Sequence, residues 1–221
     1  DGDLVDADEP WGGAAGAAQL LAHVLLVQLL DGMPLQVQLL GGGLDGAGSR
    51  VWTLLALYDL LGRAELLDAA RVAGATLKDT DSAEVPKYEM LDGVSGAIVP
   101  LIGLAEATGE ARWLAIAATA ARRLQATAIT DAGGTRWPSP QFDEPIGGFG
   151  HGAMGVGWAL ARLALTDAGT AEERAAWQAL AEGAFAFQDA LFEPETGRWR
   201  DLHLKDGQKT FPTWCHGSVG M

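Results

Sequence analysis

Five short glycine-rich openings recur along the chain, and each leads, or is placed to lead, into an apolar segment. They are Gly13-Ala14-Ala15-Gly16, Gly46-Ala47-Gly48-Ser49, Gly93-Val94-Ser95-Gly96, Gly152-Ala153-Met154-Gly155 and Gly217-Ser218-Val219-Gly220. Internal repetition constrains a fold more than local propensity does, because a small unit cannot bury its own apolar face and must stack on its neighbours. The segments after the first four openings, residues 17–30, 51–61, 97–107 and 156–165, are rich in Ala and Leu. Their apolar positions are too continuous for a single buried stripe, which predicts helices buried nearly all round.

Three of these segments are followed by more amphipathic ones, residues 64–77, 111–127 and 171–191. Arg71, Arg122, Arg123, Glu172 and Glu173 mark their solvent faces, while Leu66, Leu67, Trp113, Leu114, Trp177 and Leu180 supply the apolar ones. The unit is therefore a buried inner helix, a short turn (Gly62, Thr108 to Glu110, Asp167 to Gly169) and an outer helix. Such units close into an α/α toroid or extend as a solenoid. The expected fold is all-α, one domain over residues 1–221, with the barrel incomplete in this chain.

Glycine at each inner-helix start has a physical reason. Helix N-termini converging on one end of a barrel leave little room for side chains and leave backbone N–H groups unpaired. That end is electropositive and suits anions or thiolates, although tight packing alone also accounts for the glycines. The openings begin at residues 13, 46, 93, 152 and 217, so the spacing widens along the chain. The first interval is too short for a full helix pair, and residues 31–43 read as a loop or strand. The later intervals hold Gly- and Pro-containing loops at 133–150 and 194–212, which deliver residues to the same barrel mouth.

Composition narrows the partners. Hydrophobic residues make up 48% of the chain, enough for a substantial core. The net charge of −14 argues against a surface that tracks nucleic-acid phosphates. A single cysteine forbids an internal disulfide, and the acidic first residues are the opposite of a signal peptide. The most apolar stretch, residues 14–30, contains Gln19, His23 and Gln28 and falls short of the roughly 20 apolar residues of a membrane span. A cytoplasmic protein with neither nucleic acid nor membrane as partner is the expectation.

Three openings carry groups capable of chemistry: Glu89 and Asp92 before Gly93, His151 before Gly152, and Cys215-His216 before Gly217. Superposed repeats would gather carboxylate, imidazole and thiol around one mouth. Taken singly, each has a plainer reading. Cys215 alone is a core cysteine, His151 a loop-bonded histidine, and Glu89 and Asp92 acids at a helix start. His23 and His203 read as structural. No CxxC or HxxxH spacing defines a metal site.

Two longer motifs add a resemblance. Gly148-Phe149-Gly150-His151-Gly152-Ala153-Met154-Gly155, with Trp158-Ala159-Leu160, is similar to the GFxHGxxG…AL motif of the lanthionine synthetase C-like family. Thr213-Trp214-Cys215-His216-Gly217-Ser218-Val219-Gly220 resembles the family's W-C-x-G-x-x-G motif, and Leu91 to Ala97 its GxxG repeat. The W-C-H-G form is closest to the cyclase domains of bifunctional class II lanthipeptide synthetases. The resemblance implies an α/α toroid and a zinc ion held by Cys215 plus a Cys-His pair expected downstream of Met221. It implies His151 as the active-site histidine and Glu89 as general acid/base in place of the usual aspartate. His216 would lie beside the metal as a further catalytic group, and Trp214 would wall the substrate site. The activity implied is addition of precursor-peptide cysteine thiols to dehydroalanine or dehydrobutyrine, with a dehydratase domain in the same polypeptide as a possible companion.

Two other readings compete. A sugar-processing α/α toroid could use Trp137, Trp158, Trp199 and Trp214 as stacking platforms, but it leaves the Cys-His pair idle. A non-catalytic domain could bind a peptide or a thiol and nothing more. Zinc content and its dependence on Cys215 separate these readings from the cyclase.

Overall fold

In the computed structural model, the residues described are 42–43, 46–77, 87–204, 213–217 and 219–221. The first glycine opening, the expected inner helix at 17–30, His23 and most of residues 31–43 lie outside them, as do residues 205–212. Six helices are described: α1 (Ala47–Leu61), α2 (Ala64–Ala75), α3 (Ser95–Thr108), α4 (Arg112–Thr127), α5 (Ala153–Ala164) and α6 (Ala171–Asp189). Two small antiparallel hairpins are also described, β1 (Ile129–Asp131) with β2 (Gly134–Arg136) between α4 and α5, and β3 (Phe192–Glu193) with β4 (Arg198–Trp199) after α6.

The helices form three inner–outer pairs, α1 with α2, α3 with α4 and α5 with α6. The inner helices also pack side by side, α1 on α3 and α3 on α5. Burial follows from the residue pattern. In α3, Ser95 through Ile102 and Leu104 are all buried, as its unbroken apolar run requires. In α4 only a stripe is buried, through Trp113, Ala117, Ala121 and Leu124; in α6 it runs through Trp177, Ala181, Ala184 and Gln188. These spacings of three and four residues place one helix face against the inner layer. Trp113 and Trp177 are almost fully buried and anchor the two outer helices. Among the described residues, no helix is long and apolar enough to cross a membrane.

The inner helices begin earlier than the apolar runs suggest, because the second half of each opening already forms the first helical turn. Ala47, Ser95 and Ala153 are the first residues of α1, α3 and α5. Gly62 and Gly109 then close α1 and α3 in the left-handed conformation, each returning its N–H to a carbonyl of the last turn. At α6 the start is held by a capping box: Glu173 N–H donates to Thr170 Oγ1, and Thr170 N–H donates to the Glu173 carboxylate. The same carboxylate takes two bonds from Arg122 of α4, 2.6 and 3.1 Å long, tying neighbouring outer helices together.

Close backbone approach explains the second glycine of the openings. A Cβ on Gly96, Gly155 or Gly220 would run into the carbonyl oxygen of Met90, Phe149 or Trp214, in each case six residues upstream. The recurrence of one offset shows that the three loops fold back on their helices in the same way. Each loop also bonds to the next. Gly43 N–H donates to Met90 O (3.0 Å), Met90 and Leu91 N–H to Gly150 O (3.1 Å each), and Gly150 N–H to Cys215 O (2.9 Å).

Substitution at these glycines is therefore expected to depend on what the new methyl meets. Gly155→Ala, blocked by a backbone carbonyl, is expected to lower stability by about 1–3 kcal/mol or more. Gly103→Ala, inside α3 and facing only the end of the Leu55 side chain at 3.3 Å, is expected to be within about 1 kcal/mol of neutral. Denaturant midpoints of the two variants check this, and equal losses would contradict it.

Candidate active site

Backbone bonding between openings brings their chemical groups together. Glu89 precedes the third opening and is only 6% exposed. Its Oε2 accepts from Leu91 N–H at 2.6 Å and lies 3.6 Å from His151 Nδ1, within ion-pair range but beyond a hydrogen bond. Its Oε1 is buried with no hydrogen-bond partner among the described residues. Asp92 pairs with the Lys87 ammonium through Oδ2.

The electrostatics of this group follow from burial and neighbours. Burial pushes the Glu89 carboxyl above the usual range, opposed by the His151 imidazole. His151 in turn is raised, chiefly by the Glu89 carboxylate beside it and against the pull of its own burial. Asp92 is held below the ordinary range; burial opposes this, but the contacts to Glu89 and Lys87 outweigh it. The result is a half-buried imidazole biased towards its protonated form beside a carboxyl reluctant to ionise alone.

The fifth opening completes the group. Gly150 has no side chain, and a Cβ there would sit 2.8 Å from Cys215 Cβ. This contact and the Gly150–Cys215 hydrogen bond set the Trp214-Cys215-His216 turn against the His151 loop. The His151 and His216 ring centroids are 5.3 Å apart. Burial lowers the His216 pKa and favours the neutral ring, and its Nδ1 is buried without a hydrogen-bond partner among the described residues. Cys215 is a free, half-buried thiol. Trp214 is exposed and packs its ring on Phe149, which in turn packs on Trp158, both at 5.4 Å between centroids.

Glu89, Asp92, His151, Cys215 and His216 thus come from three distant openings to one place, with Trp214 at its edge. Three residues join them: His203, read from the sequence as structural, and Asp201 and Phe142, which were not singled out. His203 stacks on His216, with centroids 4.4 Å apart and rings 9° from parallel, and its Nδ1 is 2.8 Å from Asp201 Oδ1. Phe142 sets its ring edge-on to His151, His203 and His216 at 6.3, 5.7 and 6.5 Å. Asp201 and His203 lie in the long loop expected at the mouth, and their D-x-H spacing was the available signal. Phe142 carried none. The tryptophan platform of a sugar enzyme does not form as expected: Trp137 is buried, its Nε1 donating to Leu124 O at 2.7 Å.

The donor set suits a borderline divalent ion such as zinc, which takes thiolate sulfur, imidazole nitrogen and carboxylate oxygen. Cys215, a free thiol, and His216, whose buried Nδ1 has no hydrogen-bond partner among the described residues, each offer a donor of that type. In comparisons with known proteins, the family model described as Lanthionine synthetase C-like protein matches residues 15–221. No curated protein matches the chain.

Removing the imidazole beside a buried carboxyl is expected to be costly. His151→Ala should lower stability by about 1–3 kcal/mol, and His151→Ala with Glu89→Gln should lose measurably less than the sum of the two single changes. Urea denaturation of the four proteins of this cycle checks it, and strictly additive losses would show that the two groups do not interact.

Proposed function

Because the chain belongs to the lanthionine synthetase C-like family, an α/α-toroid family of cyclase type, we propose that it forms (methyl)lanthionine rings in a ribosomally made precursor peptide. The observation that carries this reading is the meeting of Glu89 and His151 at 3.6 Å beside the Trp214-Cys215-His216 turn. In the reaction a peptide cysteine adds across the double bond of dehydroalanine or dehydrobutyrine. Sulfur bonds to the β-carbon, the π bond opens, and a proton is delivered to the α-carbon.

Zinc, for which Cys215 would be a ligand, would when bound supply the acidity that makes thiolate at neutral pH from a thiol whose ordinary pKa is about 8.5. The remaining work falls to side chains of this chain. His151, whose pKa the Glu89 carboxylate raises, is the acid placed to give its proton to the α-carbon. Glu89 stands within ion-pair range of the His151 Nδ1 and so favours the imidazolium. His216, biased to neutrality by burial, offers an unprotonated nitrogen that can take either the incoming thiol proton or a metal ion. Phe142 covers the imidazoles and limits water, and Trp214 offers an exposed ring to the peptide. A leader-bearing precursor is the partner, with a dehydratase in the same polypeptide as the natural source of the dehydrated residues. The lone cysteine, kept reduced, fits a cytoplasmic setting.

Incubation of the protein with a dehydrated precursor peptide, followed by thiol alkylation and mass spectrometry, tests the reading. Free thiols are expected to disappear with wild-type protein, and His151→Ala should slow this about 10²–10⁴-fold. Cobalt-substituted protein should show a thiolate-to-metal charge-transfer band that Cys215→Ala abolishes. Peptide binding with no thiol consumption by wild-type protein would instead establish a binding domain.

A further inference from the structure

The loop that follows α6 brings a second set of ligand types to the histidine cluster. Asp201, His203 and His216 each offer an oxygen or nitrogen atom, and these atoms all lie within 4.8 Å of one another. Cys215 is not a member of this group. His203 Nδ1 and Asp201 Oδ1 are 2.8 Å apart, a hydrogen-bond distance that would open to about 3.3–3.6 Å between two ligands with bonds of about 2.0–2.2 Å to one tetrahedral ion. Two further features call for a cation. Asp201 is 9% exposed, and its Oδ1 meets the backbone N–H and the ring of His203. His216 Nδ1 is buried and unpartnered among the described residues, and an orphaned nitrogen of this kind needs a reason.

We propose that Asp201, His203 and His216 form a zinc-binding site that does not use Cys215. Two imidazoles and one carboxylate are a donor set zinc accepts, and three protein ligands leave a fourth position for water or a thiol. His203 is the ligand that defines the site. It belongs to neither glycine motif, and its partly exposed ring allows it to be removed without opening the core. The assignment does not rest on cyclisation, since it concerns metal held by nitrogen and oxygen alone.

The test is metal titration of the full protein and of Cys215→Ala, each with and without His203→Ala. Zinc chloride is followed by calorimetry and by metal content after dialysis, and cobalt(II) by its visible spectrum. Cys215→Ala is expected to keep one zinc, and its cobalt form to show visible ligand-field bands without thiolate charge transfer. Adding His203→Ala should weaken that zinc by roughly tenfold to a hundredfold or more. Asp201→Asn should also weaken it, and circular dichroism should show all variants folded. Loss of all zinc in Cys215→Ala alone, or unchanged zinc affinity when His203→Ala is added to it, overturns the assignment. If thiols of the peptide are not consumed but the His203-dependent zinc is present, the cyclase reading fails and this one stands.

Discussion

The arrangement depends on backbone hydrogen bonds that run sideways from one opening to the next, Leu91 to Gly150 and Gly150 to Cys215. These bonds need carbonyls and amides to approach where side chains would normally intervene. The absence of a Cβ at Gly150 permits the second link, since a methyl there would press on Cys215. Helix packing alone sets inner helices next to each other to within a few ångströms. The lateral bonds fix the loops ahead of those helices, and with them the side chains that meet at the site.

On that frame the chemistry is a matter of partial burial. Glu89 is too enclosed to ionise freely and too close to His151 to be indifferent to it. His151 and His216 lie next to each other yet are pushed in opposite directions, one by a carboxylate and one by loss of solvent. Neighbouring titratable groups driven apart in this way are the usual basis for dividing acid and base roles at one pH. Phe142 touches three imidazoles at once and so couples the loop before α5 to the loop after α6.

Much of this was legible in the sequence, for physical reasons that can be named. The alternation of unbroken apolar runs with striped ones separated inner from outer helices, because a helix enclosed on every side and a helix with one solvent face differ in composition. Glu89, His151 and Cys215 were legible because they stand four, one and two residues before the first glycine of an opening. The helix starts were misjudged by a few residues, since Ala47, Ser95 and Ala153 looked like parts of the openings although they already have helical geometry. Asp201, His203 and Phe142 were not legible as site residues. They lie in irregular loops without periodicity, and only the three-dimensional course of those loops brings them to the histidines. The hairpins have strands of two or three residues, too short for an alternating pattern to register.

The shared six-residue fold-back has one more consequence. Asp92, His151 and His216 each stand immediately before the first glycine of their opening, so the three repeats present one backbone station occupied by a carboxylic acid in one and an imidazole in the other two. Repeat duplication therefore multiplies sockets as well as scaffold. A new reactive group can enter by a single codon change, with no loop to lengthen and no helix to move, and chemical diversity in this architecture costs little structural invention.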